Sequence, residues 1–293
     1  MTDPRVHFES RPGLRRPAFV VAIRGWNDGG EAATLAARYL MEQWGSSVFA
    51  TLDPEDFVDF QVSRPTVRLE EGVTRVIEWP VGEFHVSEPG ERSVVFFTAV
   101  EPNMRWRTFC GAVVDVATDL GAETLVTLGA FLTNVPHSRP VPLVGTARTQ
   151  DETRRFGLSP SQYEGPTGIV GVMHDAAVRA GLPSVSLWAA VPHYLPATSN
   201  PKAALAMVER LNEILGVEVS TDGLLQATRE WEEGVGSLLE DNEELRDYVR
   251  QLEEAVDEGE TELQTEVPSG DSIAAELERF LRDRESPGGD VPS

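Results

Sequence analysis

The feature that most constrains this chain is an alternation that runs through its first two-thirds. Short runs rich in β-branched and aromatic residues are separated by segments whose apolar residues recur at helical spacing. Residues 18–24, A-F-V-V-A-I-R, read as a buried strand, and residues 29–44 as a helix with Ala33, Ala36, Ala37 and Leu40 on one narrow face. Residues 47–52 and 93–100 read as further strands, 107–120 as a helix closed by Gly121, and 124–128 as a strand leading to Gly129 and Ala130. Residues 141–149 are a further strand candidate. Residues 168–180 read as a helix, 184–191 as a strand, and 201–215 as a helix closed by Gly216. Residues 66–69 and 73–79 alternate in polarity around Glu70-Glu71-Gly72, which predicts a hairpin adding antiparallel strands.

Strands separated by amphipathic helices pack as a sheet covered on two sides. The expectation is therefore an α/β domain over residues 1–216, with a mixed, mostly parallel sheet and helices on both faces. After it the pattern changes. Leu224, Trp231, Leu238, Leu245 and Leu252 recur every seven residues, with Thr228, Val235, Asn242, Val249 and Val256 in a second seam. Read as heptads, Asn242 is a polar seam position that fixes register. The plainer reading is one or two amphipathic helices packed on the body, in the same chain or between subunits, and Gly234 and Gly236 weaken a continuous helix. We assign residues 217–284 to an acidic helical extension, in which 258–270 form a linker and 272–284 a short helix. Residues 285–293 read as a disordered tail.

Charge excludes several function classes. The net charge is −23, and residues 217–293 hold 23 acidic against 6 basic side chains. A phosphate backbone would be repelled, so nucleic acid is not an expected partner. No apolar run approaches the roughly 20 residues that span a bilayer, and the N-terminus lacks a basic-then-apolar signal pattern, so no membrane is expected. A single cysteine, Cys110, excludes an internal disulfide and points to the cytoplasm. It lies in a helix beside Phe109 and Val113, where a buried inert thiol is expected. Lys202 is the only lysine, which removes a lysine-bearing phosphate loop.

The glycine turn I-R-G-W-N-D-G-G-E-A-A, residues 23–33, raises the question of a phosphate site. Gly25, Gly29 and Gly30 do not match G-x-G-x-x-G, and Asp28 stands where a phosphate would sit. Asp28 is instead placed to cap the following helix. Open α/β sheets nevertheless put their sites at the carboxyl ends of the strands, where this turn lies. The same rim receives Trp26, Asn27, Glu101, Asn103, Asn134, His137 and His193, and the E-G-P-T-G stretch from Glu164 can join it. As a catalytic group we consider Asp28, Glu101 and His193; as ligand-binding residues Trp26, Asn27, Asp28, Asn103, Asn134, His137 and Glu164. Each is also an ordinary polar residue of a strand-end loop. No metal or cofactor is expected, because the five histidines form no close ligand pair unless His137 and His193 meet across strands.

Three blocks carry a resemblance: G-W-N-D-G-G-E-A-A at 25–33, D-P-E-D-F-V-D-F-Q-V-S-R-P at 53–65, and E-G-P-T-G at 164–168. S-V-V-F-F-T-A-V-E-P-N and T-L-G-A-F-L-T-N-V-P-H-S-R-P follow in the same order. Together they resemble the actinobacterial branch of the proteasome assembly chaperone 2 family, over roughly residues 15–250. The resemblance implies a phosphorylase- or hydrolase-like α/β fold, homotrimers, and a role beside proteasome subunits. One departure is that chaperones related to this family end in a hydrophobic-tyrosine-any tail, whereas this sequence ends G-G-D-V-P-S. Two functions follow as expectations. The first is a non-catalytic oligomeric interaction protein whose acidic helices meet a partner. The second is a hydrolase, phosphorylase or small-ligand binder acting on a nucleoside-like or amide compound at the rim.

Overall fold

The computed structural model describes residues 3–70, 74–147, 149–160, 164–195 and 198–259. In chain order its elements are β1 (Val6–Phe8), β2 (Ala18–Arg24), a 3-10 turn (Gly29–Glu31), α1 (Ala32–Gln43), β3 (Ser47–Leu52), β4 (Thr66–Glu70), β5 (Thr74–Glu78), β6 (Gly82–Ser87), β7 (Val94–Val100) and α2 (Trp106–Asp119). There follow β8 (Thr124–Thr133), β9 (Leu143–Thr146), α3 (Gln150–Arg155), β10 (Ser159–Pro160), α4 (Ile169–Arg179), β11 (Ser184–Pro192), α5 (Pro201–Leu215), α6 (Asp222–Glu240) and α7 (Glu243–Asp257).

One mixed sheet organises the molecule, in the order β1-β3-β6-β7-β2-β8-β11-β9-β10. Its centre, β7-β2-β8-β11, is wholly parallel. Antiparallel strands β1, β3 and β6 extend one side, and β9 lies antiparallel to β11 on the other. Strand β2 shows how the sequence fixes the layers. Its alternation sends Ala18, Val20 and Ala22 into one apolar cluster and Phe19, Val21 and Ile23 into the other. Helices α1 and α5 cover the first face, and α2 and α4 cover the second. Ala32, Ala33, Ala36 and Ala37 are fully buried on α1, so this helix approaches the sheet with little side chain between.

The hairpin expected at residues 66–79 forms, but it does not join the main sheet. Strands β4 and β5 pair only with each other as a separate two-stranded ribbon, and every residue of β4 is exposed. The antiparallel strands of the main sheet come from β1, β3, β6 and β9 instead.

The acidic extension packs in cis. Leu224 lies in the same cluster as α1 and α5, and Thr228, Val235 and Val249 are buried. Tyr39 on α1 donates its hydroxyl to the Ser220 carbonyl at 2.8 Å, tying the start of the extension to the body. Helix α6 runs through Gly234 and Gly236 and stops at Asp241. The heptad reading of Asn242 is thereby corrected. Asn242 is the N-cap of α7, its side-chain oxygen accepting from Leu245 N at 3.0 Å, and the chain turns there. The linker, the short helix and the tail expected beyond residue 259 lie outside the described residues. Among the described residues no helix is long and apolar enough to cross a membrane.

Candidate functional site

The four parallel strands end at one edge, and their order fixes where each rim residue stands. Glu101 follows β7, the Gly25–Asp28 turn follows β2, Asn134 follows β8 and His193 follows β11. The edge therefore has a β7/β2 half and a β8/β11 half.

In the first half the turn after β2 is held by close backbone contacts. Gly25 adopts φ 155°, and a Cβ there would sit 2.6 Å from the Glu101 side chain. That closeness lets Glu101 Oε2 accept from Trp26 N at 2.8 Å, which leaves the indole pointing to solvent. The next two residues turn inward. Asn27 is buried, its Oδ1 accepts from Val170 N at 3.2 Å in the first turn of α4, and its carbonyl accepts from Ala130 N of β8. Gly168 is needed for this approach, because a Cβ there would come within 2.1 Å of Asn27 Oδ1. Asp28 is buried too. Its Oδ1 accepts from Ala33 N at 2.8 Å and Thr34 N at 3.3 Å, and its Oδ2 accepts from the Thr34 hydroxyl. Burial pushes its carboxyl above the usual aspartate range, against the pull of these donors.

Helix N-termini facing a strand-end rim are ready-made anion sites, because their N–H groups lack partners within the helix. Here the chain itself fills those of α1, α4 and α5. Asp28 meets the first N–H groups of α1, Asn27 meets α4, and Asn200 Oδ1 accepts from Ala203 N of α5 at 2.9 Å. The glycine turn is thus a device that fastens two helices. Asn103 has a similar positioning part: its Oδ1 accepts from Asp59 N at 2.7 Å, holding the 53–65 loop against the start of α2. Glu164 is exposed beyond this group.

The second half lies under the acidic helices. Tyr248 of α7 donates to Asn134 Oδ1 at 3.3 Å, and its ring stands edge-on to His193 at 5.6 Å. His193 keeps its Nδ1 on the Thr133 carbonyl. The Tyr194 ring separates it from His137: ring centroids lie 5.8 Å from His193 and 6.1 Å from His137. The Tyr194 oxygen accepts from His137 N and meets His137 Nδ1, each at 2.8 Å. Burial pushes the phenol up to about 12. His137 is buried beneath Trp231 of α6, and burial, reinforced by Lys202, lowers its pKa. Arg139 pairs with Asp257 at 2.6 Å and with Glu253, which also receives the Ser138 hydroxyl. A small cleft between Pro136, Pro142, Asn200, Lys202 and Trp231 has room for roughly one water molecule.

The strand-end rim thus gathers Asn134, His137 and His193 on one half and Trp26, Asn27, Asp28 and Glu101 on the other, and the Asn27 and Gly30 carbonyls, accepting from Ala130 N and Asn200 N, join the two. Among the described residues no three His, Cys, Asp or Glu side chains converge as metal ligands. Cys110 is buried, and burial pushes its thiol up to about 12, so it stays protonated and inert.

A family profile described as the PAC2 family matches residues 22–239, from β2 to the end of α6. The chain belongs to the PAC2 family. Among solved structures, a PAC2 family protein from Streptomyces avermitilis is 45% identical, covering 80% of this chain and 99% of its own, with a TM-score of 0.74. A proteasome-assembly chaperone homologue from Mycobacterium tuberculosis is 43% identical, covering 79% of this chain and 99% of its own, with a TM-score of 0.73. An archaeal proteasome activator from Pyrococcus furiosus, 19% identical, shares the fold at a TM-score of 0.64 over 80% of this chain and 97% of its own. Curated proteins gave no match.

Two residues of this PAC2 chain matter at the rim in ways the sequence reading did not assign. Lys202 donates to the His137 carbonyl and to Glu232 Oε1, both at 2.6 Å, and so pins α6 to the body. Its being the one lysine of an arginine-rich chain was the available signal. Asn200 caps α5 and donates its N–H to the Gly30 carbonyl, joining that helix to the glycine turn. Its place directly before Pro201 is a helix-start signal.

Proposed function

We propose that this chain is a non-catalytic interaction protein of the proteasome-assembly-chaperone kind, acting in the cytoplasm and docking proteasome subunits through α6 and α7. The observation that carries this reading is the outward face of these helices. Glu230, Glu233, Glu240, Glu243, Glu244 and Glu254 are exposed on it, against Arg229, Arg246 and Arg250. The inward face is anchored to the rim by Trp231, Tyr248 and Val249, so the acidic surface is held in a fixed shape rather than on a loose tail. A fixed field of one sign steers a partner of the opposite sign and loses strength with salt. Family membership and the 43% identity to a proteasome-assembly chaperone homologue supply the partner class.

The test is capture of proteasome subunits from the same host by the full chain and by a Glu233→Lys, Glu240→Lys, Glu244→Lys variant. All three sites are exposed, so the fold tolerates the change. Capture by the wild type that weakens with salt and is lost in the variant supports the reading. Equal capture by the variant, or none by the wild type, ends it.

A further inference from the structure

The β4–β5 ribbon is two-faced. Register places Val67 opposite Ile77 and Leu69 opposite Arg75 on one face, while on the other Arg68 bridges Glu78 at 2.6 Å and Glu70 at 2.9 Å. Such alternation marks a sheet with one face in water and one packed. Among the described residues Val67, Leu69 and Ile77 are each more than half exposed, and a lone two-stranded ribbon is marginal until its apolar face is covered. The apolar surface continues onto the β7/β2 half of the rim. Trp79 stands edge-on to Phe60 at 4.9 Å, and the loop that carries Phe60 is tied to the β7–α2 turn because the Phe57 carbonyl accepts from Asn103 N and Met104 N. Trp79, Met104 and the Trp26 indole are about half or more exposed.

The same surface carries cations. Arg24, Arg64, Arg75 and Arg107 are exposed along it. Of the acids in these loops, Asp56 is engaged by Arg5 and Arg105, Glu101 accepts from Trp26 N, and Glu55 is exposed. On a chain of net charge −23, this half of the rim is a basic and apolar face. The sequence that follows α7 has the complementary character. Residues 260–271 hold Glu260, Glu262, Glu266 and Asp271 with no basic residue. In residues 272–284, Ile273, Leu277, Phe280 and Leu281 recur at i, i+4, i+7 and i+8, the stripe of an amphipathic helix that needs an apolar surface to lie on. The distance is short. Asp257 at the end of α7 pairs with Arg139 in the loop after β8. In the order β7-β2-β8-β11, β11 and β7 are three strand spacings apart, roughly 14 Å. The twelve residues 260–271 can reach about 40 Å when extended.

We propose that residues 260–284 cross the rim of their own chain and cover its basic, apolar half. The acidic stretch 260–271 runs past the exposed arginines, and the stripe of Ile273, Leu277, Phe280 and Leu281 lies on the ribbon face and Trp79. Two half-interfaces that each need a cover thus meet within one chain. The charge of the linker matches the arginines in sign, its length matches the gap, and the apolar stripe matches the apolar face of the ribbon. The contact is an intramolecular strap. It takes an apolar edge out of water and leaves the acidic faces of α6 and α7 as the surface turned outward.

Amide exchange in β4 and β5 of the full chain tests this, read in the wild type and in four full-length variants. Leu277→Asp plus Phe280→Asp breaks the stripe. Arg64→Glu plus Arg107→Glu reverses the surface charge, Glu262→Arg plus Glu266→Arg reverses the linker charge, and the fourth variant combines these two reversals. Arg64 and Arg107 are exposed, Glu suits the first turn of α2, and the other sites lie beyond α7, so urea midpoints should report an intact body. The expected result is ribbon exchange at least ~10-fold faster when the stripe is broken, since two apolar side chains lose their cover. Each charge reversal should speed exchange about 3- to 10-fold, and the combined variant should return toward the wild type. Protection in the wild type should be unchanged over a ~100-fold dilution, because a contact within one chain does not depend on concentration. Ribbon exchange equally fast in the wild type and the broken stripe overturns the proposal. So does protection lost on dilution, which assigns the cover to another molecule, or a combined reversal that exchanges no more slowly than its halves.

Discussion

Replacing Asp28 separates a helix-fastening carboxylate from a reacting one. In Asp28→Ala, the Ala33 and Thr34 N–H groups lose their acceptor, and Ala33 is fully buried. An unsatisfied buried donor costs about 1–3 kcal/mol, and loss of a helix cap about 0.5–2 kcal/mol. These two describe overlapping events, so the expected loss is about 2–3 kcal/mol, softened because the Thr34 hydroxyl keeps a 3.3 Å contact to the Glu31 carbonyl. In domains of 150–250 residues each kcal/mol moves the melting point by about 2–4 °C, so a drop of roughly 4–12 °C is expected. Asp28→Asn keeps an oxygen for both backbone donors and removes the cost of burying a charge, so its loss should stay below about 1 kcal/mol. The pH dependence has a defined sign. The folded carboxyl holds its proton more tightly than the unfolded one. Its stabilising contribution is therefore full below the ordinary aspartate value and declines as pH rises through the raised folded value. Urea midpoints across the acid range should show that decline in the wild type and not in Asp28→Asn. Equal losses in the alanine and asparagine variants, or a loss in Asp28→Ala under about 0.5 kcal/mol, would refute the capping account.

Two further tests concern the extension. Among the described residues, nothing beyond its chain neighbours and the helix's own nearby backbone comes within 4 Å of a Cβ built on Gly234 or Gly236, both inside α6. Alanine at either should therefore stabilise the chain by up to about 1 kcal/mol in chemical denaturation, without changing how α6 packs. His137, buried under Trp231 with a lowered pKa, stays neutral in the folded protein at pH values where the unfolded chain already binds a proton. Its contribution is present above the ordinary histidine value and lost as pH falls from there to the lowered folded value, so amide exchange in α6 should accelerate over that window and do so less in His137→Gln.

The layered body was legible because its signal is local. The alternation in β2 sorts side chains between two apolar clusters, and the spacing of Ala33, Ala36, Ala37 and Leu40 marks the buried stripe of α1. Asp28 as a cap was legible for the same reason, since donor and acceptor lie five or six residues apart. Asn27 was not: its oxygen serves Val170, 143 positions away, and no local pattern announces a cap supplied from so far. Asn242 shows a different failure. A polar seam residue and a helix start can occupy the same heptad position, and spacing alone does not separate them. Glu243 and Glu244 directly after it, in the first turn of α7, are the distinguishing signal. For the hairpin, alternation announced two strands with one apolar face but carried no information about which surface would meet that face.

That last point bears on how such a chain divides its rim. In an open α/β sheet the carboxyl edge is the one place where helix N-termini, strand ends and loops converge, so it must be filled by a ligand, by the chain itself or by another chain. Here the β8/β11 half is filled by α6 and α7, which bring Tyr248, Trp231 and the acidic pairs of Arg139 onto it. The N-termini of α1, α4 and α5 are filled by Asp28, Asn27 and Asn200. Among the described residues, the part of the β7/β2 half that stays open carries the large apolar side chains of Trp26, Met104, Trp79 and the ribbon, set beside the exposed polar side chains of Asn103 and Arg105. Broad apolar contact of the kind these side chains offer is what a protein partner uses.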